Sequence, residues 1–398
     1  MSLPSNFIDS LPCPHPKVVF ERLIEGKKAK RATVWAWKNE VSPADLYCYL
    51  GARFGRPNGP QNFFRADDSD NLIHWDWVLD HPEGDLHILG MNFRTELWLS
   101  GVPDLSEAAK LELASAIKAD FKNYGPQIAK VRASLEKWTE FANPYQRLSR
   151  SVEKMLADIR GLDLKPETEK LPDPTSADDP PIGDWSEILS RYSKGLGLCF
   201  GVRSMLPVMA EAYVNFLLFI LMRAEYKSDE RLKENALRQP IDVRVKSLHM
   251  TCVGFARPVD YASAECKAYH SLVNERNDLL HGNVVLEKLR FNEVYFHGKV
   301  PVFKEYRSMW ERSVGVETGA VGLHRLEQEV QTVKSFIGYL STCLEPEIKK
   351  KIDFMAEKRE LGWNQQTGRA GVLFPDHLVD MHMSFKQAAA SDGPQGNA

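Results

Sequence analysis

The stretch PVMAEAYVNFLLFILM, residues 207–222, decides how the chain is read. Extended back to Met205, it has the length of a bilayer-spanning helix. Pro207, Glu211 and Asn215 sit inside it, and carboxylate and amide groups are expensive in lipid unless paired. A buried core helix is therefore the better reading, and no membrane partner is expected. Around it the pattern is almost wholly helical, over about 185–194, 203–224, 229–255, 260–282 and 319–357. The run Val294-Tyr295-Phe296-His297-Gly298-Lys299-Val300-Pro301-Val302-Phe303 interrupts it as a β-hairpin turning at Gly298. Long helices joined by short loops imply an antiparallel bundle over residues 185–358.

Upstream, LDLKPETEKLPDPTSADDPPIGD at 162–184 holds five prolines and an acidic excess. Residues 161–184 thus read as a solvated linker. Residues 1–160 differ in character. Strands are expected at Ala32–Trp37, at Leu72–Leu79 and across Asp85–Ser100, with a turn-rich loop through Gly51, Gly55 and Gly59. Asp104 and Glu107 are spaced as a capping box, with a helix following from Leu105 to Lys122. Gly125-Pro126 and Asn143-Pro144 punctuate two further helices that end near Arg160. The expected fold is mainly α, with an α+β N-terminal domain and a C-terminal helical bundle carrying an inserted hairpin. Residues 359–398 form a tail whose end, rich in Ala, Ser, Gly and Gln after Ser384, reads as frayed.

The 398 residues are 43% hydrophobic and 26% charged, which excludes collagen-like and wholly disordered chains. A net charge of -3 means that any nucleic-acid contact uses a local patch rather than the whole surface. The six cysteines form no C-x2-C pair, against a zinc ribbon or a thioredoxin-like site. MSLPSNFIDSLPCPHPK at the start lacks the basic-then-apolar order of a secretory signal, so free thiols in a cytoplasmic protein are expected. P-loop, G-x-G-x-x-G, G-x-S-x-G and H-E-x-x-H patterns are missing, which removes the usual support for kinase, dehydrogenase, hydrolase and zincin chemistry.

The segment Asn274-Glu275-Arg276-Asn277-Asp278-Leu279-Leu280-His281-Gly282-Asn283 carries the chemistry. Asn277 and His281 lie four apart on one helix face, with Arg276 beside it. Gly282 is a natural stop, placing His281 in the last turn, where the helix end favours imidazolium. A guanidinium, an amide and an imidazole suit phosphodiester chemistry without a metal. Two other pairs, Arg244 with His249 and Arg290 with His297, share the spacing. The first lacks a polar residue after the arginine and the second straddles a loop and a strand.

This segment resembles the motif of the HEPN family (higher eukaryotes and prokaryotes nucleotide-binding domains). Its ribonuclease members carry R-x(4–6)-H at the end of a helix in a helical bundle. Arg276 matches the arginine, Asn277 the polar position after it, and His281 the histidine. The resemblance covers 185–358 as architecture and about ten residues as motif. It implies a homodimer in which two motifs line one cleft, and RNA cleavage by 2′-hydroxyl attack that leaves 2′,3′-cyclic phosphate ends. In that reaction His281 is acid and base, Arg276 the charge stabiliser and Asn277 the orienting amide, and no cofactor is required. It also implies a role as a toxin or an anti-phage effector. The rival readings are a non-catalytic HEPN-like dimerisation or nucleotide-binding module and, third, a plain helical interaction protein.

Other candidates surround this one. Glu211 and Asn215 either face the Arg276 cleft as supporting groups or are satisfied within the core. Lys288, Arg290, Lys299, Lys304, Arg307 and Arg312 alternate with aromatics from Phe291 to Trp310, a pattern that grips single-stranded RNA or simply packs. His74, Asp76, His81, Asp85 and His87 offer metal-ligating atoms, although a turn at His81–Gly84 fixes no geometry and surface histidines are the plainer reading, so no metal is expected. The N-terminal domain is expected to sense, bind or regulate through a ligand or protein partner.

Overall fold

The four-stranded sheet of the N-terminal region follows from side chains that alternate in burial. The computed structural model describes residues 3, 7–25, 30–64, 71–166, 168–169 and 185–375. Strands β1 (Ala32–Trp37), β2 (Ile73–His81), β3 (Gly84–Met91) and β4 (Thr95–Ser100) form an antiparallel sheet in the order β1-β4-β3-β2. Trp35, Leu97, Ile88 and Trp77 stand opposite one another across all four strands, each buried. Leu46 and Leu50 of helix Pro43–Phe54, with Leu113 and Ile117 of helix Glu107–Asp120, cover that face. Val34 and Trp98 lie exposed on the other face, as expected for a sheet backed by helices on one side.

Three local expectations are corrected here. Asp85–Ser100 is two strands, because the chain turns back at 92–94, where the Met91 amide donates to the Arg94 carbonyl at 3.0 Å. Asp104 is no cap. It adopts φ 61°, and Ser106 caps the helix by accepting from the Ala109 amide at 3.3 Å. The region around Gly51 is helix rather than loop: Ser42 caps it, Pro43 enters its first turn, and Gly55 ends it at φ 81°. Leu46, Tyr49 and Leu50 are its buried stripe.

The chain divides into two compact units, the first running through Thr139 with Gly362–Gly368, the second comprising Glu140–Leu361 with Arg369–Gly371. Helix Pro144–Gly161 therefore counts with the second unit, although the composition change falls after it. Most of the linker, 167 and 170–184, lies outside the described residues, as does the end of the tail. The start of the tail is structured, with strands Glu360–Asn364 and Arg369–Gly371.

In the second unit a single helix, Trp185–Leu221, replaces the two expected. Two of its glycines are packing notches, not breaks, while Gly197 faces open space. A Cβ at Gly201 would stand 2.5 Å from the Met155 methyl of helix Pro144–Gly161, and one at Gly195 would stand 2.4 Å from a Leu164 methyl. Among the described residues this helix alone is long and apolar enough to cross a membrane, and 56% of its most apolar window is buried within the protein. Two other expected helices are each broken. The Gln239-Pro240 step separates Glu230–Arg238 from Ile241–Thr251. Gly322, left-handed at φ 73°, and Pro346 divide the last stretch into Val316–Val321, Leu326–Thr342 and Pro346–Ala356.

Two polar anchors hold these helices. Arg203, 5% exposed, sits on the long helix and makes a bidentate pair with Glu329, at 2.7 Å from Nε and 2.6 Å from Nη2. Its Nη1 donates to the Val321 carbonyl at 2.6 Å, and Nη2 reaches Glu275 at 3.3 Å. The second anchor is Asn143, fully buried. Its amide oxygen caps Pro144–Gly161 by accepting from Tyr145 and Gln146, while its amide nitrogen donates to the carbonyls of Met355, Ala356 and Lys358. Replacing Glu329 by Ala leaves the Arg203 guanidinium buried without its main counter-charge, and the expected loss of stability is about 3–5 kcal/mol, read from the denaturant midpoint. The double variant Arg203→Met, Glu329→Leu is expected to recover most of that loss.

Candidate functional site

Helix Ala264–His281 presents the Arg276 segment. Ser263 caps its start by accepting from the Cys266 amide at 3.3 Å. Cys266, Tyr269 and Leu272 are its buried positions. The Tyr269 ring stacks on Phe336 with centroids 4.0 Å apart, and its hydroxyl donates to the Pro207 carbonyl at 3.3 Å. Glu275 is the last fixed point, accepting from Arg203 and, at 2.7 Å, from Arg325. Beyond it no residue of the helix is buried. Gly282 closes the helix in the left-handed region at φ 63°, its amide donating to the Asp278 carbonyl.

On this projecting end Arg276 and Asn277 are half-buried and His281, the final helical residue, is exposed. Arg276 Nη1 donates to Asn277 Oδ1 at 3.0 Å. Its Nε is buried with no partner, and among the described residues no carboxylate pairs with the guanidinium. Five residues of α-helix rotate His281 about 140° from Arg276 and carry it roughly 7.5 Å along the axis. One chain therefore presents the two groups toward different directions. A cavity of about 170 Å3 beside the helix end is lined by Asp278, Gly282 and Asn283, and not by Arg276 or His281.

Glu211 and Asn215 serve a different arginine. Arg244, itself buried, donates from Nη1 to Asn215 Oδ1 at 2.6 Å and from Nη2 to Glu211. Both are thus hydrogen-bonded to Arg244, Glu211 from a partly exposed position. Arg244 is thereby committed to structure, which separates it from Arg276. The groups nonetheless share a neighbourhood. Burial holds the Tyr269 phenol above its usual range, Glu211 adds to this, and Arg244 and Arg276 oppose it. Sequence reasoning missed Arg203, although a cation inside an apolar helical run signals a buried partner, and weighed Arg244 only for its spacing from His249.

The hairpin forms as expected, pairing Val294 with Phe303 and His297 with Val300 around Gly298 at φ 62°. Its aromatics divide: Tyr295 and Phe296 are exposed, as are Val300 and Val302, whereas Phe303 is half-buried with its ring 5.6 Å from that of Tyr306, itself 91% exposed, and Trp310 is buried against Tyr192. Glu293 pairs with Lys304 and Glu305 with Arg307, while Arg312 sits 5.6 Å over the Phe303 ring. The Lys288 side chain lies outside the described residues.

The N-terminal histidines do not converge on a metal position; among the described residues no group of three His, Cys, Asp or Glu is placed to hold one. His74 bonds Asn92, and His81 accepts from the Glu83 amide at 3.3 Å. His87 lies 3.8 Å from Asp76 and 3.9 Å from Asp85. Asp76 is fully buried, with Oδ1 unbonded and Oδ2 accepting from the Gln61 amide at 3.3 Å. The cysteines are free thiols, and burial pushes those of Cys199 and Cys252 up to about 11, so neither offers a ready thiolate.

Compared with known proteins, the chain matches no protein-family model, no curated protein and no solved structure.

Burial raises the Asp76 carboxyl above its ordinary range, so the folded state holds its proton more tightly than the unfolded chain does. Stability from this group is present at low pH and is lost as pH rises through the raised value. Asp76→Asn is therefore expected to be more stable than the parent at pH 8. The difference should vanish on acidification in thermal melts recorded from pH 4 to 8.

Proposed function

We propose that the protein is a metal-independent endoribonuclease of HEPN type that acts as a homodimer through its helical second unit. The observation that carries this reading is Arg276: half-buried, without a carboxylate partner among the described residues, tied to Asn277, and followed by an exposed His281 at the helix end. A cation kept free of counter-ions is available to a phosphate, and a solvent-facing imidazole is available to move protons.

The reaction joins these parts. The ribose 2′-oxygen attacks the adjacent phosphorus, an imidazole takes its proton, and charge developing on the phosphoryl oxygens meets Arg276. The bond to the 5′-oxygen breaks as that oxygen receives a proton, leaving a 2′,3′-cyclic phosphate and a 5′-hydroxyl. DNA, which lacks the 2′-hydroxyl, is not a substrate. The divergence of Arg276 and His281 around one helix favours a second copy, so that Arg276 of one chain and His281 of the other share a phosphate. The exposed apolar side chains that follow the motif, among them Leu280, Val284 and Leu286, support such an interface. Action in the cytoplasm, with the N-terminal unit as sensor and host RNA cut in phage defence or by a toxin, extends the same reading.

The test is RNA cleavage in EDTA by the purified full chain, with end-group analysis of the products. Cyclic phosphate ends are expected, and His281→Ala and Arg276→Ala are each expected to lose about 10²–10⁴-fold in rate while remaining folded dimers. Cleavage undiminished in His281→Ala overturns the assignment. Inactive wild-type dimers that still bind RNA would favour the non-catalytic module instead.

A further inference from the structure

The hairpin at 294–303 is a two-stranded ribbon with apolar side chains on both faces. Tyr295, Val300 and Val302 stand exposed on one face, Val294 and Phe296 on the other. Two strands alone are marginally stable in water, and this ribbon lacks the further strand or covering layer that would steady it. Its two edges are not equivalent. The Lys304 amide donates to the Glu293 carbonyl at 3.3 Å, which makes these residues a hydrogen-bonded pair. By alternation Tyr295 with Val302 and His297 with Val300 are the next such pairs, so the backbone groups of Val294, Phe296, Pro301 and Phe303 point outward. Pro301 has no N–H, which deprives the strand Val300–Phe303 of one of its two outward donors. The strand Val294–His297 keeps both, and among the described residues no third strand pairs with its edge.

An open apolar edge is a template for one more strand. Three features select a second copy of the same strand as that addition. Self-pairing about a two-fold axis can set Val294 of each chain against Phe296 of the other, and each such pair exchanges both of its backbone hydrogen bonds. Tyr295 then meets Tyr295 of the other chain on the axis, in the closely spaced kind of pair. In the same register Glu293 of one chain lies opposite His297 of the other, so the carboxylate paired with Lys304 at 2.5 Å also gains an imidazole. The third feature is continuity: exposed apolar side chains run from Leu280, Val284 and Leu286 at the motif end through Phe291 into the hairpin. Single-stranded RNA is the weaker occupant, because Lys304 and Arg307 are already held by Glu293 and Glu305.

We propose that the strand Val294–His297 pairs antiparallel with the same strand of a second copy, forming a four-stranded sheet across the dimer. This deepens the ribonuclease reading, on which the need for a second copy rests, and its test reads assembly rather than cleavage.

The test is the solution mass of the full chain by light scattering at micromolar concentration, where a dimer is expected. Phe296→Pro removes an outward N–H without touching the hairpin's own bonds, and is expected to weaken dimerisation at least tenfold with the circular-dichroism spectrum unchanged. Tyr295→Cys is expected to give a disulfide-linked dimer under mild oxidation, and Val302→Cys is not. Three strand spacings, about 14 Å, would separate the two copies of residue 302, beyond the reach of a disulfide. Three results overturn the proposal. One is a monomeric parent, as when the edge takes a strand of another protein or single-stranded RNA instead. The others are a dimer unaltered in Phe296→Pro and a Val302→Cys variant that links as readily as Tyr295→Cys. A dimer sensitive to Phe296→Pro that leaves RNA intact counts against the ribonuclease reading alone. RNA cleavage by a dimer indifferent to Phe296→Pro counts against this pairing alone.

Discussion

Arg203 and Glu329 hold the bundle in register. A charge pair buried to this degree is a poor source of net stability, since desolvation offsets much of its attraction. Its value lies in geometry. A bidentate guanidinium–carboxylate contact allows one relative height and rotation of the two helices, whereas leucines facing one another allow several. Because Nη1 also engages the Val321 carbonyl and Nη2 reaches Glu275, that single guanidinium sets three segments against the long helix at once. The left-handed Gly322 belongs to the same constraint: a Cβ there would stand 2.6 Å from Arg203 Nη1.

The motif helix inherits its position from this anchor. Its opening turns are packed through Cys266, Tyr269 and Leu272 and end at Glu275, one residue before Arg276. Arg276 thus follows directly on a position fixed by two ion pairs, and His281 is exposed in the last turn. On the reading proposed above, a second copy would complete the cleft.

Much of this was legible beforehand, for reasons that differ from element to element. The hairpin at Gly298 was readable because turn chemistry and alternation are local. The stop at Gly282 was readable because a left-handed helix end asks for glycine. The core reading of 207–222 rested on Pro207, Glu211 and Asn215. What escaped depends on partners distant in sequence. Gly195 and Gly201 look like breaks until Leu164 and Met155 are seen against them. Asp104 resembles a cap until the chain turns left-handed at that residue and Ser106 takes the role. Glu211 and Asn215 asked for a buried partner, and only the fold identifies it as Arg244, 33 and 29 residues away.

Asn143 has a chemical consequence apart from packing. Its side-chain amide serves the start of one helix and the carbonyl end of another, and both functions require an amide, with oxygen and nitrogen at opposite ends. Spontaneous hydrolysis of such an amide to a carboxylate would turn the donor end into an acceptor facing three carbonyl oxygens. The usual route to that damage begins when the next residue's backbone nitrogen attacks the side chain and gives up its hydrogen. Here the next residue is Pro144, whose ring nitrogen carries none. The residue that starts the helix thus also protects its cap from ageing, and the joint between these two helices is set to outlast the more exposed asparagines of the same chain.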